Sequence, residues 1–255
     1  MTVLKIFKIG SIPEEFMREV ETILRTFYSS VNTDLEYVEV YVYETSEKKR
    51  YYLHSEATEL GVLALGDFIV SHDAWRGWPR IHVDYELCKD LGKEYLETLL
   101  IHEAVHSVLH GSIDFYIASI SGELLEEFDP YVASEIIYLA SVIVKDLDVF
   151  EFLIRNNMSR YIEKYLELSV NKWLPDSNCR DIIETLSILK LLLPCVYLRC
   201  DLSKMNLPQD CTKIISRELS RLADLYNVCD NDFNCKLNNF IKFIKQNTKF
   251  YLHSR

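Results

Sequence analysis

His102-Glu103-Ala104-Val105-His106 sets two imidazoles four residues apart, with a carboxylate directly after the first. On a helix such positions share one face about one turn apart, so both rings can reach a single tetrahedral cation. Glu103 stands beside them. A carboxylate held next to a water on a divalent metal takes that water's proton as it attacks a carbonyl, while the metal acidifies the water and polarises the substrate oxygen. The chemistry served by H-E-x-x-H spacing is therefore hydrolysis by a metal-activated water, with Glu103 as general base and His102 and His106 as ligands of Zn2+. The flanks Leu99-Leu100-Ile101 and Ala104-Val105 are apolar, so the expected helix buries one side and turns the other to a cleft. The plainer alternative is a helix with two ordinary histidines and an ordinary glutamate.

Catalytic zinc takes three protein ligands and keeps one position open, so a third residue must come from further along the chain. The extension H-E-x-x-H-x-x-G-x-x-H is absent, because Leu109 stands at the glycine position and Ser112 at that of the last histidine. His110 lies about 12 Å from His102 along a straight helix, too far to share its ion. It reads instead as a C-terminal histidine complementing the helix dipole. Glu123, Glu126 and Glu127 sit at suitable separations, in a stretch that also reads as a solvated helix end. Glu135 comes early in the next helix. Asp146 and Asp148 interrupt the apolar residues Leu139-Ala-Ser-Val-Ile-Val144, Leu147, Val149 and Phe150, where an uncompensated carboxylate is costly. A metal or a basic partner removes that cost. Asp146 shares a helical face with Leu139, Ile143, Val149 and Phe150 and is taken as the third ligand, with Asp148 and Glu135 as close alternatives. An ion pair with Lys145 or a distant arginine is the structural explanation of the same residue. Tyr116, Tyr131 and Tyr138 each carry a phenol able to stabilise an oxyanion, but among 16 tyrosines nothing in the sequence selects one. Trp75 and Trp78 read as core packing in preference to groove lining.

The elements that must position these groups follow from periodicity. Val3 to Ile9 reads as a strand, and Pro13 to Ser29 carries helical spacing through Phe16, Val20, Ile23, Leu24 and Phe27. Valines 38, 40 and 42 alternate with other residues between Tyr37 and Tyr43, the mark of a half-buried strand. Asp67 to His72 and Arg80 to Asp84 flank a turn-forming aromatic segment and are expected to pair antiparallel. The motif helix, expected over residues 93–110, ends at Gly111, which suits the left-handed conformation common past a helix end. No glycine follows Gly122, so a β-rich fold with tight turns is excluded there and helices are expected. Asp129-Pro130 opens one to about Asn156. Further helices are expected over Ser159 to Val170, Asp181 to Leu193, Cys211 to Asn227 and Asn234 to Asn247. The fold class is α+β, a small mixed or antiparallel sheet with the motif helix followed by a helical C-terminal part. Residues 1–112 form the first lobe and 113–255 the helical one.

Composition narrows the partners. The 255 residues are 49% hydrophobic, enough for a sizeable core. The net charge of −11 excludes the positive footprint that phosphate-dominated nucleic-acid binding needs. The start, Met1-Thr-Val-Leu-Lys-Ile-Phe-Lys-Ile-Gly10, mixes lysines into its apolar residues and lacks a signal peptide's apolar core. Ile136 to Val144 and Leu191 to Leu198 are too short to span a bilayer. A soluble, cytoplasmic protein with no membrane partner is expected, of oligomeric state not legible here. Of the seven cysteines, Cys88 stands apart, and Cys179, Cys195, Cys200, Cys211, Cys229 and Cys235 contain no CxxC pair. They therefore argue against a structural zinc knot. They read as buried free thiols, with disulfides as the alternative, which in an intracellular protein point to a hyperthermophilic source.

With the motif and the element order in hand, residues 35 to 150 resemble the zincin metallopeptidases. Ile101-His-Glu-Ala-Val-His-Ser-Val-Leu-His-Gly111 and Val144-Lys-Asp-Leu-Asp-Val149 are also similar to archaeal zincin-like proteins with no known substrate. The resemblance implies an upper lobe of mixed sheet whose antiparallel edge strand binds an extended peptide by strand addition. Arg80 to Asp84, or its neighbour at 67 to 72, would take that place. It implies a peptide or protein substrate and bound zinc. The alternatives are a catalytically inactive binding protein on the same scaffold and a hydrolase of another amide or ester.

Overall fold

The alternating valines of Tyr37–Tyr43 form a strand that lies inside the sheet, flanked on both sides, in place of the half-exposed position expected of them. In this computed structural model the described residues are 2–62, 68–117, 122–174, 179–229 and 232–246. The four strands are β1 (Val3–Ile9), β2 (Tyr37–Tyr43), β3 (Val70–Asp73) and β4 (Arg80–Asp84), in the order β1-β2-β4-β3. β1, β2 and β4 run parallel and β3 runs antiparallel along the edge beside β4. Parallel neighbours require a crossover, and a strand between two of them is covered on both faces. Val38, Val40 and Val42 on one face and Glu39 and Tyr43 on the other are accordingly all buried.

The helices among the described residues are α1 (Glu14–Ser30), α2 (Ser46–Leu60), α3 (Tyr85–Cys88), α4 (Lys93–Leu109), α5 (Gly122–Glu127), α6 (Pro130–Arg155), α7 (Ser159–Leu168), α8 (Ile182–Leu191), α9 (Cys195–Leu198), α10 (Gln209–Cys229) and α11 (Phe233–Gln246). The fold is thus mixed α+β, with a helical C-terminal part. Sequence periodicity finds most of these within a few residues and misses α2, which has few apolar side chains. Its ends are nonetheless marked: Thr45 accepts a hydrogen bond from the Lys48 N–H, and Gly61 closes the helix at φ 67°. Asp67, expected to begin β3, lies outside the described residues.

The chain clusters into two compact units. The first comprises Met1–Ile117 and Phe152–Tyr161 and holds the sheet and α1 to α4. The second comprises Ala118–Glu151 and Ile162–Arg255. Its described residues hold no strand. Leu124, Ala133 and Ile137 form a buried cluster there, with Phe128 and Ile241 packed against it.

Six cysteines expected as free thiols are paired. Cys179–Cys211 joins the segment before α8 to α10, Cys195–Cys200 brackets α9, and Cys229–Cys235 joins α10 to α11. Their Cα separations of 5.4, 5.0 and 5.6 Å lie in the range a disulfide spans. Spacing along the chain could not show this, because helix ends set the approach. Cys88 is free and buried, and burial pushes its thiol up to about 12, which makes it unreactive.

Gly111 also departs from expectation. The positive-φ glycines are Gly10, Gly61 and Gly77, and Gly111 is not among them. Its role is close approach: a Cβ there would sit 2.5 Å from the Ser107 carbonyl oxygen and 3.4 Å from Pro79.

Candidate metal centre

α4 is buried on nearly every side. From Thr98 to Ser107 every residue is buried except Glu103, which keeps partial exposure. The expected division into a buried side and a cleft side is therefore narrower than apolar patterning implied. One open position remains, and it belongs to the carboxylate suited to moving a proton to and from water. Tyr28 of α1 shares a buried hydrogen bond with the Ser107 hydroxyl, tying two neighbouring helices together. Burial pushes the Tyr28 phenol well above its usual range, so it stays neutral.

The edge strand lies beside α4. Just before β3 the Ile69 carbonyl accepts from the Asp84 N–H at 2.9 Å, and antiparallel hydrogen bonding alternates from that pair. Ser71 and Asp73 therefore turn their backbone groups to β4, whereas Val70 and His72 turn theirs toward the outer edge. The His72 ring lies on the α4 side, nearly parallel to that of His106, with centroids 6.0 Å apart and planes 8° from parallel. Its Nδ1 is 2.8 Å from the Tyr116 hydroxyl. Tyr116, one of the three phenols considered from sequence, reaches this neighbourhood through that contact. Tyr131 is exposed and shares a hydrogen bond with Glu135 that raises its phenol.

The opposite face of the same hairpin is locked by charge. Arg80, fully buried, donates from Nε and Nη2 to Asp73 Oδ1 at 2.9 and 2.7 Å and from Nη2 to Glu56 of α2. Arg76 reaches the same glutamate. His82 Nε2 is 2.7 Å from Asp73 Oδ2 and its Nδ1 2.9 Å from the Tyr43 hydroxyl. Burial pushes the His82 imidazole below its ordinary value despite Asp73. A neutral ring then donates to Asp73 and accepts from Tyr43. Trp78, expected in the core, is exposed, because its indole N–H donates to Glu39 Oε2 at 3.0 Å instead.

His102 and His106 are 4% and 7% exposed, with their Nε2 atoms 3.2 Å apart. Two nitrogens, each 2.0–2.1 Å from a tetrahedral zinc, stand about 3.3 Å apart, so the pair is already at ligand spacing. The same distance suits one N–H···N hydrogen bond when no cation is held. Asp146 of α6, the carboxylate that the sequence singles out, belongs to the second unit and is 2% exposed there. Two imidazoles and one carboxylate are a donor set that zinc accepts with a fourth position left over.

The alternatives fare differently. Asp148 takes the Lys236 ammonium at 2.6 Å, an ion pair in which Lys236 is 1% exposed. Glu135 is half-buried beside the Tyr131 hydroxyl, and Glu126 and Glu127 are exposed. The side chain of Glu123 lies outside the described residues. His110 is buried at the end of α4, with its Nδ1 3.1 Å from His106 Nδ1. Sequence reasoning assigned no role near the cation to His72 or His110. Their i, i+4 relation and strand alternation were legible, but not which rings would converge.

No family model matches the chain, and no curated protein or solved structure matches it.

Proposed function

We propose that this chain is a zinc-dependent metallopeptidase of the zincin type, acting on a peptide or protein substrate. One observation carries the reading: the Nε2 atoms of His102 and His106 stand 3.2 Å apart, at the spacing of two ligands of one cation, and the partly exposed Glu103 directly follows the first histidine. A mixed sheet with an antiparallel edge strand, followed by the motif helix, supports it. His102 and His106 hold the cation through Nε2, and Asp146 through one carboxylate oxygen. Zinc, when bound, supplies Lewis acidity that activates water and polarises the scissile carbonyl. Glu103 takes the proton of the attacking water on its carboxylate and returns it to the leaving amine nitrogen. The outward backbone groups of Val70 and His72 receive an extended substrate as an added strand. Tyr116 orients the His72 ring through its hydroxyl.

Nucleic acid is not a partner in this reading, because the net charge is −11. Among the described residues no helix is long and apolar enough to cross a membrane. Cytoplasmic residence goes with the three disulfides in a hyperthermophilic source, where intracellular disulfides persist. The near-complete burial of His102, His106 and Asp146 favours a second reading, a catalytically inactive binding protein on the same scaffold.

Zinc titration and digestion of a broad peptide library separate these readings. The peptidase takes up one zinc per chain and cleaves peptides until a chelator is added. Asp146→Ala weakens zinc by more than the roughly 10–100-fold that loss of an outer-shell partner costs. A folded protein that takes up zinc without cleavage, or takes up none, favours the binding protein, and zinc affinity that ignores His102 and His106 ends the peptidase reading.

A further inference from the structure

We infer that His110 is a positioning residue of this metal centre, holding the proton of His106 on Nδ1 so that the Nε2 lone pair stays available to the cation. The inference rests on the metal-binding reading above and goes beyond the motif, whose three residues do not include His110.

A neutral imidazole has one N–H and one lone pair, so the partner of one nitrogen decides the state of the other. Both nitrogens of His106 are engaged. Nε2 faces His102 Nε2 at 3.2 Å, and Nδ1 faces His110 Nδ1 at 3.1 Å. To offer Nε2 as a ligand, His106 must carry its proton on Nδ1. That N–H then points at His110, whose Nδ1 must accept it, and His110 in turn carries its proton on Nε2. The opposite assignment, a donating His110 Nδ1, leaves the His106 proton on Nε2 and blocks the ligand position.

The geometry holds His110 to this task. Its backbone N–H donates to the His106 carbonyl at 2.7 Å, and its φ of −127° and ψ of 28° end the helix there. The ring is 1% exposed, with the Phe115 ring edge-on at 4.9 Å between centroids. Ligating histidines usually donate their second N–H to a carboxylate, carbonyl or water. An imidazole acceptor gives the same orientation without adding a negative charge beside the cation. The dipole-complementing role expected from sequence requires an exposed cation, and burial of the ring argues against it.

Two substitutions and one measurement on the unaltered protein test this. His110→Leu keeps bulk and removes the acceptor, whereas His110→Asn places Oδ1 near the former Nδ1. Zinc affinity, read by competition with a chromophoric chelator, falls about 10–100-fold in the first and stays within about tenfold in the second. The visible spectrum of the cobalt-substituted protein shifts in His110→Leu and returns toward the parent in His110→Asn. Circular dichroism checks that each variant is folded. Nitrogen-15 histidine spectra of the zinc-loaded parent are expected to give the Nδ1–H form for His106 and the Nε2–H form for His110, independent of any variant. Parental zinc affinity in a folded His110→Leu protein, or an Nδ1–H form for His110, overturns the inference and leaves the metal centre standing. A parent with no zinc affinity removes the metal centre and the inference with it.

Discussion

Glu103→Gln lowers peptide hydrolysis by about 10²–10⁴-fold, the usual worth of a positioned general acid and base, and leaves zinc content at its parental level. Glutamine matches glutamate in shape but accepts no proton, so water loses the base and the leaving amine the acid. The loss falls in kcat more than in KM, because the carboxylate acts on the transition state and not on substrate binding. Zinc is unaffected because its proposed ligands are His102, His106 and Asp146, and Glu103 is not one of them. Steady-state kinetics on a cleaved library peptide, with metal analysis of the same samples, provides the check. A variant that cleaves as fast as its parent removes Glu103 from the mechanism.

Arg80→Met costs about 3–5 kcal/mol of stability at neutral pH, measured by urea unfolding. The guanidinium is fully buried between Asp73 and Glu56. Its removal strands two carboxylates that α2 and the hairpin cannot readily expose. Burial pushes both acids up, but His82 and Arg80 beside Asp73, and Arg80 and Arg76 beside Glu56, hold them below the ordinary carboxylate range. A group whose folded pKa is depressed stabilises above its unfolded value, near 4, and that contribution is lost as pH falls through the folded value. The parent therefore loses stability progressively below about pH 4, and the difference between parent and Arg80→Met narrows over the same interval. A cost under about 1 kcal/mol would mean that the network is dispensable. Because Asp73 terminates β3, the same substitution loosens the edge proposed to receive substrate.

β1, β2 and β4 were legible to the residue, β2 and β4 because apolar side chains alternate with others over seven and five positions. α2 was not. Its face meets the sheet through Lys49, Glu56 and Ala57, and a helix buried through charge leaves no apolar stripe to read. The disulfides were hidden for a related reason: spacings of 5, 6 and 32 residues become bonds only where helix ends bring Cα atoms close.

The sequence by itself determined the pair His102 and His106 with Glu103 beside them, because one helical turn fixes that relation locally. It also determined that a strand pair precedes this helix and that helices follow it. Only the tertiary structure decided that Asp148 is taken by Lys236, that His72 stacks on His106, and that His110 turns its Nδ1 to the ring four residues before it. The physical reason is range. Backbone periodicity fixes neighbours within about one turn or one strand, whereas a lysine 88 residues along the chain meets a carboxylate only through packing that its own segment does not encode.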